Sequence, residues 1–165
     1  MAIPRASICG PPHTYFVHVQ TALGLPRLGH PQASEILLDV LEVVRGVFDA
    51  GIYAWSIRED CWSWIVRHRA DMPEDESRLR QRWARLGSRS IPRAPALQER
   101  LTSLSGLMQT VLGHASRGLS KSCGGPGTWW APRFRCCLLA DDCAVLAAVH
   151  GLEHGALNNQ GSILH

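Results

Sequence analysis

From Pro31 to Gly51 the apolar residues Ile36, Leu37, Val40, Leu41, Val44, Val47 and Phe48 recur at intervals of three and four, with Glu35, Asp39, Glu42 and Asp49 between them. That period draws one apolar stripe along an α-helix, and such a helix is stable only when another element covers the stripe. Pro31 suits the first turn, where its missing N–H is one the helix leaves unpaired anyway, and Gly51 ends the pattern. A second stripe follows Pro95, with Leu97, Leu101, Leu104, Leu107, Met108, Val111 and Leu112 running to Gly113. Two helices that must each be covered can cover one another, which predicts the core of a helical bundle.

Shorter segments extend the same reading. Ser56 followed by Glu59 has the spacing of a capping box, and Trp62, Ile65 and Val66 supply an apolar face before Arg67, His68 and Arg69, so a helix is predicted there. Another is predicted from Asp71 or Met72 to Gly87, since Pro73 and Glu74 to Glu76 suit a first turn. In it Glu74 with Arg78, and Glu76 with Arg80, are spaced as i to i+4 pairs. A last short helix is predicted from about Asp142 to His154. Tyr15 to Val19 fits a strand or a helix start equally well.

With 165 residues, 45% of them hydrophobic, the chain is sized for one domain. The predicted organisation is an irregular N-terminal segment over 1–30, a helical core domain over 31–113, a Gly/Pro/Ser-rich linker over 114–135, a short C-terminal helix over 136–155 and a tail over 156–165. Trp129 and Trp130 are expected to pack back on the core. The expected fold class is all-α, a small irregular bundle of four to five helices.

No run reaches the roughly 20 apolar residues of a membrane-spanning helix. Pro4, Pro11 and Pro12 interrupt any secretory core near the start, and the lack of acidic residues before Glu35 is the one feature that suits an organelle-targeting segment. Six cysteines, dispersed from Cys9 to Cys143, do not form a disulfide-dense pattern. These features point to an intracellular setting: cytoplasmic, nuclear or mitochondrial.

The net charge of +3 says little, but Lys121 is the single lysine and every other basic residue is arginine. Such usage reflects either GC-rich coding or selection for guanidinium chemistry. The densest run is Arg78, Arg80, Arg82, Arg85, Arg89 and Arg93, with Trp83 among them and no acidic residue from Ser77 to Gln98. Guanidinium forks bind phosphates and carboxylates, and an aromatic ring among them can stack on a base. Arg78, Arg82, Arg85, Arg89 and Trp83 are therefore the candidate contact residues, for a protein partner first and for nucleic acid as the alternative.

A second constellation is His150-Gly151-Leu152-Glu153-His154. On a helix its two imidazoles share one face and Glu153 can reach a bound water. This H-x-x-E-H segment resembles the zinc helix of the inverzincin metallopeptidases. The resemblance implies zinc on His150 and His154, Glu153 as general base, and a zinc-dependent hydrolase. That family takes a third ligand from a downstream acidic residue, whereas none of the eleven residues after His154 is acidic. Cys137 with His150 and His154 also has the spacing of half a zinc finger, which adds Cys137 as a candidate ligand. The preferred sequence reading is a non-enzymatic helical module that binds another macromolecule through the arginine-rich helix. The zinc hydrolase and the nucleic-acid-binding protein are its rivals.

Overall fold

The computed structural model describes residues 12–22, 28–68, 75–87, 90–124 and 128–155. Four antiparallel strands, β1 (His13–Gln20), β2 (Gly51–Ile57), β3 (Cys61–His68) and β4 (Arg135–Leu139), form one sheet in the order β2-β3-β1-β4. Five helices accompany it: α1 (Pro31–Phe48), α2 (Glu76–Ala84), α3 (Ala94–Thr102), α4 (Leu104–Ser122) and α5 (Asp142–Glu153). The fold is α+β, which corrects the all-α expectation.

The correction turns on residues 51–68. The presumed capping box is instead a hairpin turn. The Arg58 N–H donates to the Cys61 carbonyl at 2.8 Å, while the carbonyls of Glu59 and Asp60 accept from the N–H groups of Leu28 and Thr21. Cys61 to Val66 is all buried, as a central strand covered on both faces must be. An apolar run of that length has no visible period, so its helical reading rested on spacing that a strand satisfies equally.

Strand alternation divides the core. Tyr15, Val17 and Val19 of β1, and Trp62, Trp64 and Val66 of β3, belong to the larger cluster with the stripes of α1 and α4. Phe16 and Ile65 belong to a second cluster on the opposite face, with Ala148 and Leu152 of α5 and with Leu139. The two helices read most clearly from periodicity thus cover a sheet and one another. At their crossing a Cβ on Gly118 would stand 2.6 Å from Cγ2 of Ile36, so only glycine admits the approach.

The predicted helix after Pro95 is two helices. Ser103 leaves the helical conformation and its hydroxyl accepts from the Gly106 N–H at 3.0 Å, capping α4. A Cβ on Gly106 would collide with the Arg100 carbonyl, so the corner between α3 and α4 needs that glycine. At its other end α4 continues past Gly113 to Ser122, through the first part of the presumed linker. Trp129 and Trp130 fold back on α4: their indole N–H groups donate to Ser120 Oγ at 2.7 Å and to the Leu112 carbonyl at 3.1 Å. The predicted C-terminal helix is present as α5, capped by the Asp141 side chain on the Ala144 N–H. Most of the expected N-terminal segment, the expected tail, and the expected start of the third helix at Asp71 to Glu74 lie outside the described residues.

Candidate nucleic-acid interface

Of the arginines picked from the sequence, Arg78 is exposed on α2. Arg80 is engaged with Glu76 at 2.7 Å, the i to i+4 pair its spacing predicted. Arg82 is turned inward, where its Nε donates to the Val47 carbonyl at 2.8 Å. Arg85 is exposed and near Gly46, and Arg89 lies outside the described residues. Trp83 is only 5% exposed, donates from its indole N–H to the Ser90 carbonyl at 3.3 Å, and belongs to the main core cluster. Trp83 and Arg82 are drawn inward for a simple reason. α2 is a short helix whose narrow apolar stripe needs Leu79 and Trp83 for its own docking, and Arg82 sits where it caps a neighbouring helix.

What α2 builds lies on its other side. Between α2, α3 and α4 a groove of about 590 Å³ is lined by Arg100, Gln109, Thr110, His114 and Arg117, among others. Its floor includes Trp83, and none of the described residues that line it is a carboxylate. The Arg100 guanidinium stands 5.9 Å over the Trp83 ring, a cation on a π face that holds the side chain at the wall. Burial, and then the nearby Arg117 guanidinium, hold His114 below its ordinary pKa of 6.5, so the imidazole is neutral at physiological pH. Two guanidinium groups, an amide, a hydroxyl and a titratable imidazole in one concavity are the kind of donors that anions are bound by. Arg100, His114 and Arg117 were not singled out from the sequence, since they come from two helices and meet only through the turn at Ser103.

The proposed metal ligands are distributed differently. His150 and His154 stack on α5, with ring centroids 4.0 Å apart, and Cys137 is on β4. Glu153 is exposed beside them. Among the described residues no group of three His, Cys, Asp or Glu side chains is placed to hold a metal ion.

No family model matches the chain, and no curated protein matches it. Solved structures do. The chain is similar to a REP-associated tyrosine transposase solved bound to a REP hairpin, with a TM-score of 0.57 and 16% identity over 94% of this chain and 74% of that one. The fold is shared with a tyrosine transposase. A candidate transposase from Deinococcus radiodurans is also similar, with a TM-score of 0.48 and 14% identity over 94% of this chain and 97% of that one. The fold shared with the first of these, with the burial of Trp83 and the inward turn of Arg82, corrects the sequence reading of an α-helical protein-binding module. Among the described residues no helix is long and apolar enough to cross a membrane.

Proposed function

We propose that this chain is a transposase-like DNA-binding protein that grips the phosphate backbone of hairpin-forming DNA in the groove between α2, α3 and α4. The observation that carries the reading is the convergence of Arg100, Arg117 and His114 on a concavity with no carboxylate among the described residues that line it, in a fold shared with a protein bound to a hairpin. Phosphate contacts of this kind supply affinity and register without base specificity.

Binding is favoured over tyrosine-mediated strand cleavage. The chain has two tyrosines, Tyr15 and Tyr53. Tyr15 is 8% exposed and its phenol is pushed above the ordinary value by burial first and by Cys136 second, which disfavours the phenolate a nucleophile needs. Tyr53 is exposed on β2, where its hydroxyl accepts from Arg67 at 3.4 Å, and it does not line the groove. The test is fluorescence anisotropy with a labelled DNA hairpin, run beside a denaturing gel of the same mixture. Binding that weakens at least tenfold in Arg100→Gln, Arg117→Gln, with no covalent protein–DNA band, is the expected result. Unchanged binding in the double variant removes the groove, and a covalent band lost in Tyr53→Phe replaces binding with cleavage.

A further inference from the structure

The groove between the helices makes no use of α5. Counted at about 100° per residue, Cys143, Leu146, Ala147, His150 and His154 share one arc of that helix, and all five are exposed. On its other side Ala148 and Leu152 are buried with Phe16 and Ile65 of the sheet. Leu146 is 69% exposed, more than any other large hydrophobic side chain among the described residues. A leucine and an alanine gain nothing from water, and anything seated on the two histidines would cover both.

The geometry of the pair is that of two ligands. The rings of His150 and His154 stack with centroids 4.0 Å apart and planes inclined by 16°. Two nitrogens on one tetrahedral zinc, each bonded at about 2.0–2.1 Å, stand roughly 3.3 Å apart, so a small tilt of the rings brings both onto one ion. His154 Nδ1 donates to the His150 carbonyl at 3.0 Å. A carbonyl can only accept, so neutral His154 carries its proton on Nδ1 and keeps the Nε2 lone pair for another partner. Metal-bound histidines have their second nitrogen tied in this way.

Two ligands are half of a closed zinc site. Among the described residues no third His, Cys, Asp or Glu completes a group with them. A second copy of α5 does, because a two-fold axis through the ion turns one pair into two. We propose that His150 and His154 bind a zinc ion shared with the same two residues of a second copy, so that α5 is a zinc-dependent dimer interface. The two pairs of a tetrahedron lie at right angles and each pair runs along its own helix, so the helices cross nearly perpendicular. Helical side chains lean toward the N-terminus, which sets the crossing over Ala147 and carries each Leu146 against the other copy. Nitrogen fills all four positions and none is left for water or substrate, so this ion is structural. The interface does not depend on DNA binding in the groove, whose arginines are on α3 and α4.

The test uses the full chain, stripped of metal with a chelator and kept reduced with a phosphine so that no disulfide links two copies. Sedimentation equilibrium with and without added zinc gives the association constant, and mass spectrometry of the isolated dimer gives its zinc content. The expected result is association about tenfold or more tighter with zinc, reversed by chelator, with about one ion per two chains. His150→Ala, His154→Ala should abolish the zinc effect. Both side chains are exposed, so thermal melts without zinc should match those of the unaltered chain. Leu146→Arg keeps both ligands and places like charges across the axis, and should weaken zinc-dependent association by about tenfold. Cobalt in place of zinc should give the intense visible absorption of tetrahedral coordination. Equal association with and without zinc, one ion per chain with no association, association that survives loss of both histidines, or an unchanged constant in Leu146→Arg overturns the proposal. Failure of hairpin binding in Arg100→Gln, Arg117→Gln bears on the groove and leaves the interface standing.

Discussion

Arg82 caps a helix it does not belong to. Its Nε donates at 2.8 Å to the carbonyl of Val47, in the last turn of α1, where the carbonyls lack intrahelical partners and the helix dipole is negative. The guanidinium is half-buried there and serves the junction of α1 with α2. Arg82→Gln should therefore lower stability by about 1–2 kcal/mol, a charged hydrogen bond to an otherwise orphaned carbonyl, and leave DNA affinity within twofold. Urea denaturation and anisotropy measured on the same preparation check both. A marked loss of DNA binding with unchanged stability would return α2 to the role its sequence suggested.

The groove between the helices predicts a distinct salt signature. Each phosphate contact on duplex DNA contributes about 0.9 to the slope of log affinity against log salt. Arg100→Gln, Arg117→Gln should make the slope shallower by about 1.8 and leave the folded state intact, because both side chains are exposed. A salt titration of hairpin binding, with thermal melts alongside, reads this directly.

Binding in that groove should strengthen as pH falls. His114 is held below 6.5 by burial and by Arg117, so it is neutral at pH 7.5. A phosphate beside it favours the imidazolium, so DNA binding takes up a proton and affinity rises as pH falls toward the lowered pKa of the free imidazole. His114→Gln should flatten the profile between pH 7.5 and 5.5. An unaltered profile in that variant would place the titrating group elsewhere.

Stability should run the opposite way. His68 is 3% exposed and donates from Nε2 to the Leu101 carbonyl at 3.1 Å, tying β3 to the end of α3. Burial is the largest influence on it and lowers its pKa, the bond to Leu101 opposes that, and Arg82 adds to the lowering. With the folded value below 6.5, the unfolded chain takes up the proton first as pH falls. Stability is then fully present above pH 6.5 and is lost as pH falls from there through the folded pKa. Urea midpoints at pH 7.5 and 5.5 should differ in that direction, and His68→Gln, which retains an N–H donor, should reduce the difference.

The crossing of α1 and α4 is testable by a paired substitution. Gly118→Ala places a methyl 2.6 Å from Cγ2 of Ile36 and should cost about 1–3 kcal/mol through overpacking. Ile36→Ala opens the space that methyl needs, so the double variant should lose less than the sum of the two single losses. Strict additivity in denaturant midpoints would show that the two residues do not touch.

Particular residues show what was legible in advance. The stripe of α1, the stripe of α4 as far as Leu112, the start of α5 after Asp141, the glycine turn at Gly87 and the Glu76–Arg80 pair all depend on neighbours within a few positions, and each follows from spacing. The corner at Ser103 was missed because α3 and α4 carry one continuous apolar pattern across it. Nothing in that pattern marks the place where Gly106 must meet the Arg100 backbone.

By itself the sequence determined which segments must hide an apolar face, because side-chain period is a local property of the chain. Only the tertiary structure decided what covers each face. The buried run Cys61 to Val66 became a central strand because β1 and β2 supply its hydrogen-bonding partners, and that choice replaced a bundle with a sheet. The same holds for the candidate site: Arg100 and Arg117 face one groove only because the chain turns at Ser103. Charge on a helix is visible in a sequence, whereas convergence of charges from separate elements is a long-range pairing that local pattern does not encode.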